Sequence, residues 1–197
     1  DRKLITSPLA VLGTHDQWND VGVNVYAEGH RFNATAYLTN GFTRAGFTDA
    51  DFVDDPNYEV EVAVKRAGGG RLGFLPFAGV ELGLSGAMLG GVVSSQSMTM
   101  LGADLQFSHG PWDLKGEYIS HKIEYAADLT PTNTGFYAQG MHTFGNWYAV
   151  ARYDEFNPDE IGVDTQERLS VGAGVAIFAS AELRVEYQAG LSDNLAD

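Results

Sequence analysis

Apolar and polar residues alternate along most of this chain with a period of two. Val21, Val23 and Val25 alternate with Gly22, Asn24 and Tyr26. Leu101, Ala103, Leu105 and Phe107 alternate with Gly102, Asp104, Gln106 and Ser108. Leu183, Val185, Tyr187 and Ala189 alternate with Glu182, Arg184, Glu186 and Gln188. Such alternation puts one set on each face of a sheet. It predicts ten strands, at about 20–28, 31–40, 58–75, 78–88, 98–108, 112–125, 135–144, 147–155, 167–178 and 181–190. No segment carries a helical stripe. In the third strand, Gly68 to Gly70 invite a bulge or a break.

Most of these strands run nine residues or more, the length that crosses a bilayer as a tilted strand. Soluble sheets average five or six. The connections alternate too. Short turns are expected at Gly29-His30, Pro76-Phe77, Gly110-Pro111, Gly145-Asn146 and Ala179-Ser180. Long polar loops are expected at 41–57, 89–97, 126–134 and 156–166. Tight turns at one end and long loops at the other are the pattern of an outer-membrane barrel. A soluble β-sandwich would also alternate along each strand. Strand length, loop asymmetry and aromatics near strand ends (Tyr26, Trp112, Trp147, Tyr153, Tyr187) favour the barrel.

Composition narrows the function. The 197 residues hold 12 Lys and Arg against 26 Asp and Glu, a net charge of -14. That balance argues against a nucleic-acid binder. Without cysteine there is no disulfide framework, thiolate metal site or cysteine nucleophile. No apolar run reaches the length of a membrane helix. Residues 4–13 follow Arg2 and Lys3 but are interrupted by Thr6, Ser7 and Pro8, so they do not read as a secretion signal.

The order of several motifs resembles the porin O and porin P (phosphate-selective porin) family. Asp20 to His30 (DVGVNVYAEGH), followed by Phe32 to Gly41 (FNATAYLTNG), is similar to one of its hairpins. Arg71 to Pro76 (RLGFLP), then Glu81 to Gly86 (ELGLSG), resembles the next. Gly135 to Gln139 with Trp147 to Asp154 resembles a late hairpin, and Leu183 to Tyr187 the penultimate strand. The resemblance implies a trimeric, solute-conducting barrel of about sixteen strands in the bacterial outer membrane, in contact with lipid and lipopolysaccharide. The expectation is that residues 1–197 form one barrel domain, the C-terminal portion of such a protein. Five strands would precede residue 20, and one closing strand would follow.

If the apolar face meets lipid, the other face lines a water-filled lumen. Alternation puts acidic Glu59, Glu61, Glu81, Asp104, Asp113, Glu117, Asp154, Glu182 and Glu186 there, with basic Lys65, Arg71, Lys115, Arg152 and Arg184. Nine acids against five bases predict a weak cation preference or little selectivity, not a basic phosphate ladder. Arg184, between Glu182 and Glu186, is either a conduction site or part of a wall ion-pair network. Loops 41–57 and 89–97 are the candidates for an inward fold that narrows the pore.

Other chemistry is weak. Gly68 to Gly73 fits G-x-G-x-x-G, but a strand follows where a dinucleotide site needs a helix. The acidic loop clusters at Asp49, Asp51, Asp54 and Asp55 and at Asp154, Glu155, Asp159, Glu160 and Asp164 lack calcium-loop spacing. Ser120 and His142 face the lipid side on neighbouring strands without a third triad member. The expectation is a diffusion pore with no covalent chemistry, cofactor or resident metal. The competing expectation is a plugged barrel that anchors or sheaths a partner.

Overall fold

A computed structural model describes residues 4–12, 21–39, 64–91, 97–124, 130–159, 163–178 and 181–192. One turn of helix, α1 (Leu9–Leu12), precedes ten strands. They are β1 (Gly22–Glu28), β2 (Phe32–Thr39), β3 (Val64–Phe74), β4 (Val80–Gly91) and β5 (Ser97–His109). β6 (Trp112–Glu124), β7 (Thr132–Phe144), β8 (Trp147–Asn157), β9 (Gln166–Phe178) and β10 (Ala181–Gly190) complete the set. All ten pair antiparallel in one sheet, in strict chain order from β1 to β10. The chain is an all-β, up-and-down sheet of the transmembrane-barrel type. No helix among the described residues is long and apolar enough to cross a membrane, which says nothing of strands.

The short turns are set by single residues. Gly110-Pro111 joins β5 to β6, and Gly145-Asn146 joins β7 to β8. Gly110 and Gly145 have φ of 57° and 63°, a left-handed conformation that residues with a Cβ adopt reluctantly. Of the expected long loops, 41–57 lies wholly outside the described residues. So do 92–96, 125–129 and 160–162, the middles of the others.

The glycine run in β3 neither bulges nor breaks. Gly68, Gly69 and Gly70 pair in register with Leu38, Tyr37 and Ala36 of β2 and with Met88, Ala87 and Gly86 of β4. The register shift falls instead between Val64 and Arg66. The glycines make room: a Cβ on Gly69 would stand 2.6 Å from the Tyr37 hydroxyl. The ring of Tyr37 lies across the strand where a side chain would otherwise project.

The two faces differ as the alternation requires. One exposes Val23, Val25, Leu72, Leu84, Leu101, Leu105, Leu114, Val171 and Val185 across the whole width of the sheet. A soluble monomer rarely exposes an apolar patch above a few hundred Å², so this outer face calls for an apolar covering. Its aromatics gather near the short-turn end: Phe32 against Phe74 at 5.0 Å, and Trp112 against His142 at 4.3 Å. The other, inner face carries the charged residues of β3 to β10.

The inner face also holds something that alternation did not announce. Ala67, Ala87, Leu89, Met100 and Ile119 form a buried apolar cluster there with Ala10, flanked by Tyr37 and Met98. The polar inner face is therefore interrupted by an apolar patch to which Ala10 belongs.

Candidate functional site

Residues 4–12 lie on the inner face, with α1 packed on β7 and β8. Two glycines admit them. A Cβ on Gly135 would stand 2.8 Å from the Cβ of Ala10, and one on Gly172 would stand 2.8 Å from Leu4 Cδ2. Leu4 is buried with Tyr148 and Val150 of β8. Pro8 carries no amide proton, so it costs the segment no hydrogen bond at this turn. The Pro8 carbonyl still accepts from Leu12 N–H at 2.9 Å, closing α1.

Charged side chains fasten the segment. Arg152 donates from Nη1 to the Thr6 carbonyl at 3.0 Å, and Arg168 from Nη2 to the Ser7 carbonyl at 2.6 Å. Asp154 accepts from Arg152 Nε at 2.9 Å, Arg168 Nε at 3.4 Å and the Leu9 amide at 3.2 Å. On β10, Glu186 accepts from the Ile5 and Thr6 amides at 2.5 and 3.1 Å and from the Thr6 hydroxyl at 2.6 Å. Gln188 donates to that hydroxyl at 2.8 Å. A carboxylate removed from water needs such partners. Asp154 has two guanidiniums and an amide.

This placement changes the roles that alternation suggested. Arg152 and Asp154 are on the inner face, but they lie beneath the segment with side-chain exposures of 2% and 0%. Both contact the segment directly, Arg152 at Thr6 and Asp154 at Leu9. Arg168, opposite Asp154 in the β8–β9 register, is a further inner cation. It falls within the expected strand 167–178 but was not named among the inward candidates. The same alternation that faces Ser170 inward faces Arg168 inward.

The remaining candidates form two groups. In the first, Arg71 forks between Asp104, at 2.6 and 2.9 Å, and Glu81, at 2.6 Å, while Asn33 donates to Glu81 at 3.1 Å. Gly73 and Gly83 give this group its floor; a Cβ on Gly83 would collide with Arg71 Nη2 and Asp104 Oδ2. Glu117 lies opposite Asp104 and accepts from the Tyr137 hydroxyl. Lys115 lies opposite Gln106 and Gln139. In the second group, Arg184 donates to Glu182 at 2.9 Å, half-exposed. Glu186 has turned to the segment, so Arg184 is part of a wall ion pair and not a cation flanked by two open carboxylates. Asp113 accepts from Ser108 Oγ near the short-turn end. Lys65 is in β3, but its side chain, with Glu59 and Glu61, lies outside the described residues.

Arg71, Asp104, Gln106, Lys115, Glu117 and Tyr137 surround a cavity of about 220 Å³. A neighbouring cavity of about 180 Å³ lies between the segment and the wall, and Lys115 and Tyr137 border it too. No three His, Asp or Glu gather as metal ligands among the described residues. The register sets Ser120 opposite Thr134 and His142 opposite Trp112, eight residues apart along β7. That is about 26 Å at the rise of a strand, so the two cannot share a catalytic site.

Comparison with known proteins agrees with the architecture. No protein-family model matches the chain, and no curated protein matches it. A solved structure described as a porin refined at 1.8 Å resolution superposes with a TM-score of 0.65 at 12% identity. The match covers 88% of this chain and 57% of the porin chain, so this chain spans a little over half of that structure's length. At that identity the likeness is one of fold: these ten strands are folded as a porin's are.

Proposed function

We propose that the chain belongs to a bacterial outer-membrane porin, of the porin O and porin P type, that passes small ions and hydrophilic solutes by diffusion. The observation that carries this reading is the division of the sheet. An apolar outer face is backed by a charged inner face, and across the inner face lies a fastened segment. Lipid and lipopolysaccharide cover the first. Water and solute occupy the second. Residues 4–12 form an inward fold that narrows the passage. Three barrels assemble side by side, as the family resemblance implies.

Selectivity follows from which charges stay open. Asp154 and Arg152 are covered, and Arg184 and Glu182 neutralise each other. Glu81, Asp104 and Glu117 face Arg71 and Lys115, three carboxylates against two cations. This favours cations weakly. No covalent step enters the reading.

The test is the reversal potential of the full-length protein in a planar bilayer under a KCl gradient. A modest cation-selective potential is expected. An anion-selective potential would overturn the assignment of selectivity. No conductance from correctly inserted protein would favour a plugged barrel that anchors a partner.

A further inference from the structure

The charged groups that line the 220 Å³ cavity are not all paired with one another. Arg71 is spent on Glu81 and Asp104. Glu117 has no cation within ion-pairing distance among the described residues, and the Tyr137 side chain lines the cavity beside it. Lys115 lies on the same face two residues along β6, about 7 Å away along the strand. It has no carboxylate within ion-pairing distance among the described residues, although it borders both cavities. Lys115 and Glu117, neither with an ion-pair partner among the described residues, therefore face the same space, beside the gap that the 4–12 segment leaves.

We propose that this cavity is a subsite for small zwitterions, of which α-amino acids are the simplest class. It rests on the porin reading above. The solute carboxylate would meet Lys115, and its ammonium would meet Glu117, with Asp104 behind. A simple anion gains Lys115 but is repelled by Glu117 and Asp104. A simple cation gains the carboxylates but is repelled by Lys115 and Arg71. Only a solute carrying both charges a few ångströms apart satisfies both poles at once. Coulomb attraction at these separations survives in a narrow aqueous passage better than in bulk water, because the low-dielectric wall focuses the field. The cavity holds the volume of roughly seven liquid waters, enough for a solute of a few non-hydrogen atoms. Gln106, on the rim, offers an amide to either end.

The experiment is liposome uptake by the full-length protein of L-alanine and of lactamide, a neutral solute of nearly the same size. KCl conductance is recorded on the same preparations. Alanine is expected to enter faster by a factor of up to about five, the scale of a partly screened ion pair. K115Q and E117Q should each reduce that ratio to near one while conductance persists. The charge-swapped double variant, K115E with E117K, should restore it, because the reversed poles bind the reversed solute. Equal uptake of the two solutes by a conducting wild-type protein overturns the subsite and leaves the porin reading standing. Failure of the swap to restore the ratio also overturns it. Absence of conductance overturns the porin reading and the subsite with it.

Discussion

Ala10 sits on Gly135, so close that a Cβ on that glycine would stand 2.8 Å from the alanine methyl. The contact joins a residue of α1 to the inner face of β7 near the start of that strand. It is the point at which the covering segment and the wall have no room to spare. Gly135→Val should lift the segment while leaving the strand ladders paired, since valine suits a strand. The expected outcome is a larger single-channel conductance with unchanged β-sheet circular dichroism. Unchanged conductance would mean that residues 4–12 do not limit the passage.

Asp154 and Glu182 each hold an arginine, and burial separates their worth. Asp154 is fully buried between Arg152 and Arg168. Asp154→Asn leaves two guanidiniums without their carboxylate, a loss of about 3–5 kcal/mol in a dry site. Glu182→Gln opens a pair exposed by 21–32%, where an ion pair is worth about 0–1 kcal/mol. The first variant should lower the thermal unfolding temperature in detergent markedly, and the second hardly at all. Equal effects would show that water reaches Asp154.

Arg71 neutralises two carboxylates on the open wall. Arg71→Ala should leave Glu81, Asp104 and Glu117 facing Lys115 alone. The K⁺ over Cl⁻ permeability ratio, read from the reversal potential, should rise. A fall in the ratio would mean that ions do not pass this wall.

Leu105 and Gln106 are neighbours in β5 on opposite faces. Leu105→Arg sets a cation against lipid, at a cost of about 2 kcal/mol near the middle of a strand. Gln106→Arg adds one to a water-filled passage. Folding yield into bilayers should drop for the first and not for the second. Equal yields would argue that the outer face is covered by protein, not by lipid.

The strands were legible because two solvents impose one rule on them. A face against hydrocarbon tolerates Leu101, Ala103 and Leu105, and a face against water takes Asp104 and Gln106. Alternation therefore records both strand and orientation, and the ten strands came within a few residues of their ends, save the start of the third, where 58–63 lie outside the described residues. Nothing in that rule reports contacts made across the barrel interior. Residues 4–12 mix apolar Leu4, Ile5 and Leu9 with Thr6, Ser7 and Pro8 and show no period. Their partners, Glu186 and Arg152, lie 180 and 146 positions away. The traces they did leave were indirect. Gly135 and Gly172 occupy inward positions that a lumen would not require to be small, and Arg152, Asp154 and Arg168 crowd one spot. The glycine run in β3 misled for a similar reason, since the Tyr37 ring that it accommodates comes from another strand.

The chain order of the strands gives the segment a place in time as well as in space. Every strand pairs with the strand before or after it, so each hairpin can form from residues close in sequence, which is fast. The clasp between Thr6 and Glu186 is different: it joins residues 180 apart, and it cannot close until β10 has been laid beside β9. If a hairpin is skipped or slips in register, Glu186 arrives at the wrong height and Thr6 has nothing to grip. The docked segment thus certifies that β10 reached its place beside β9 in register.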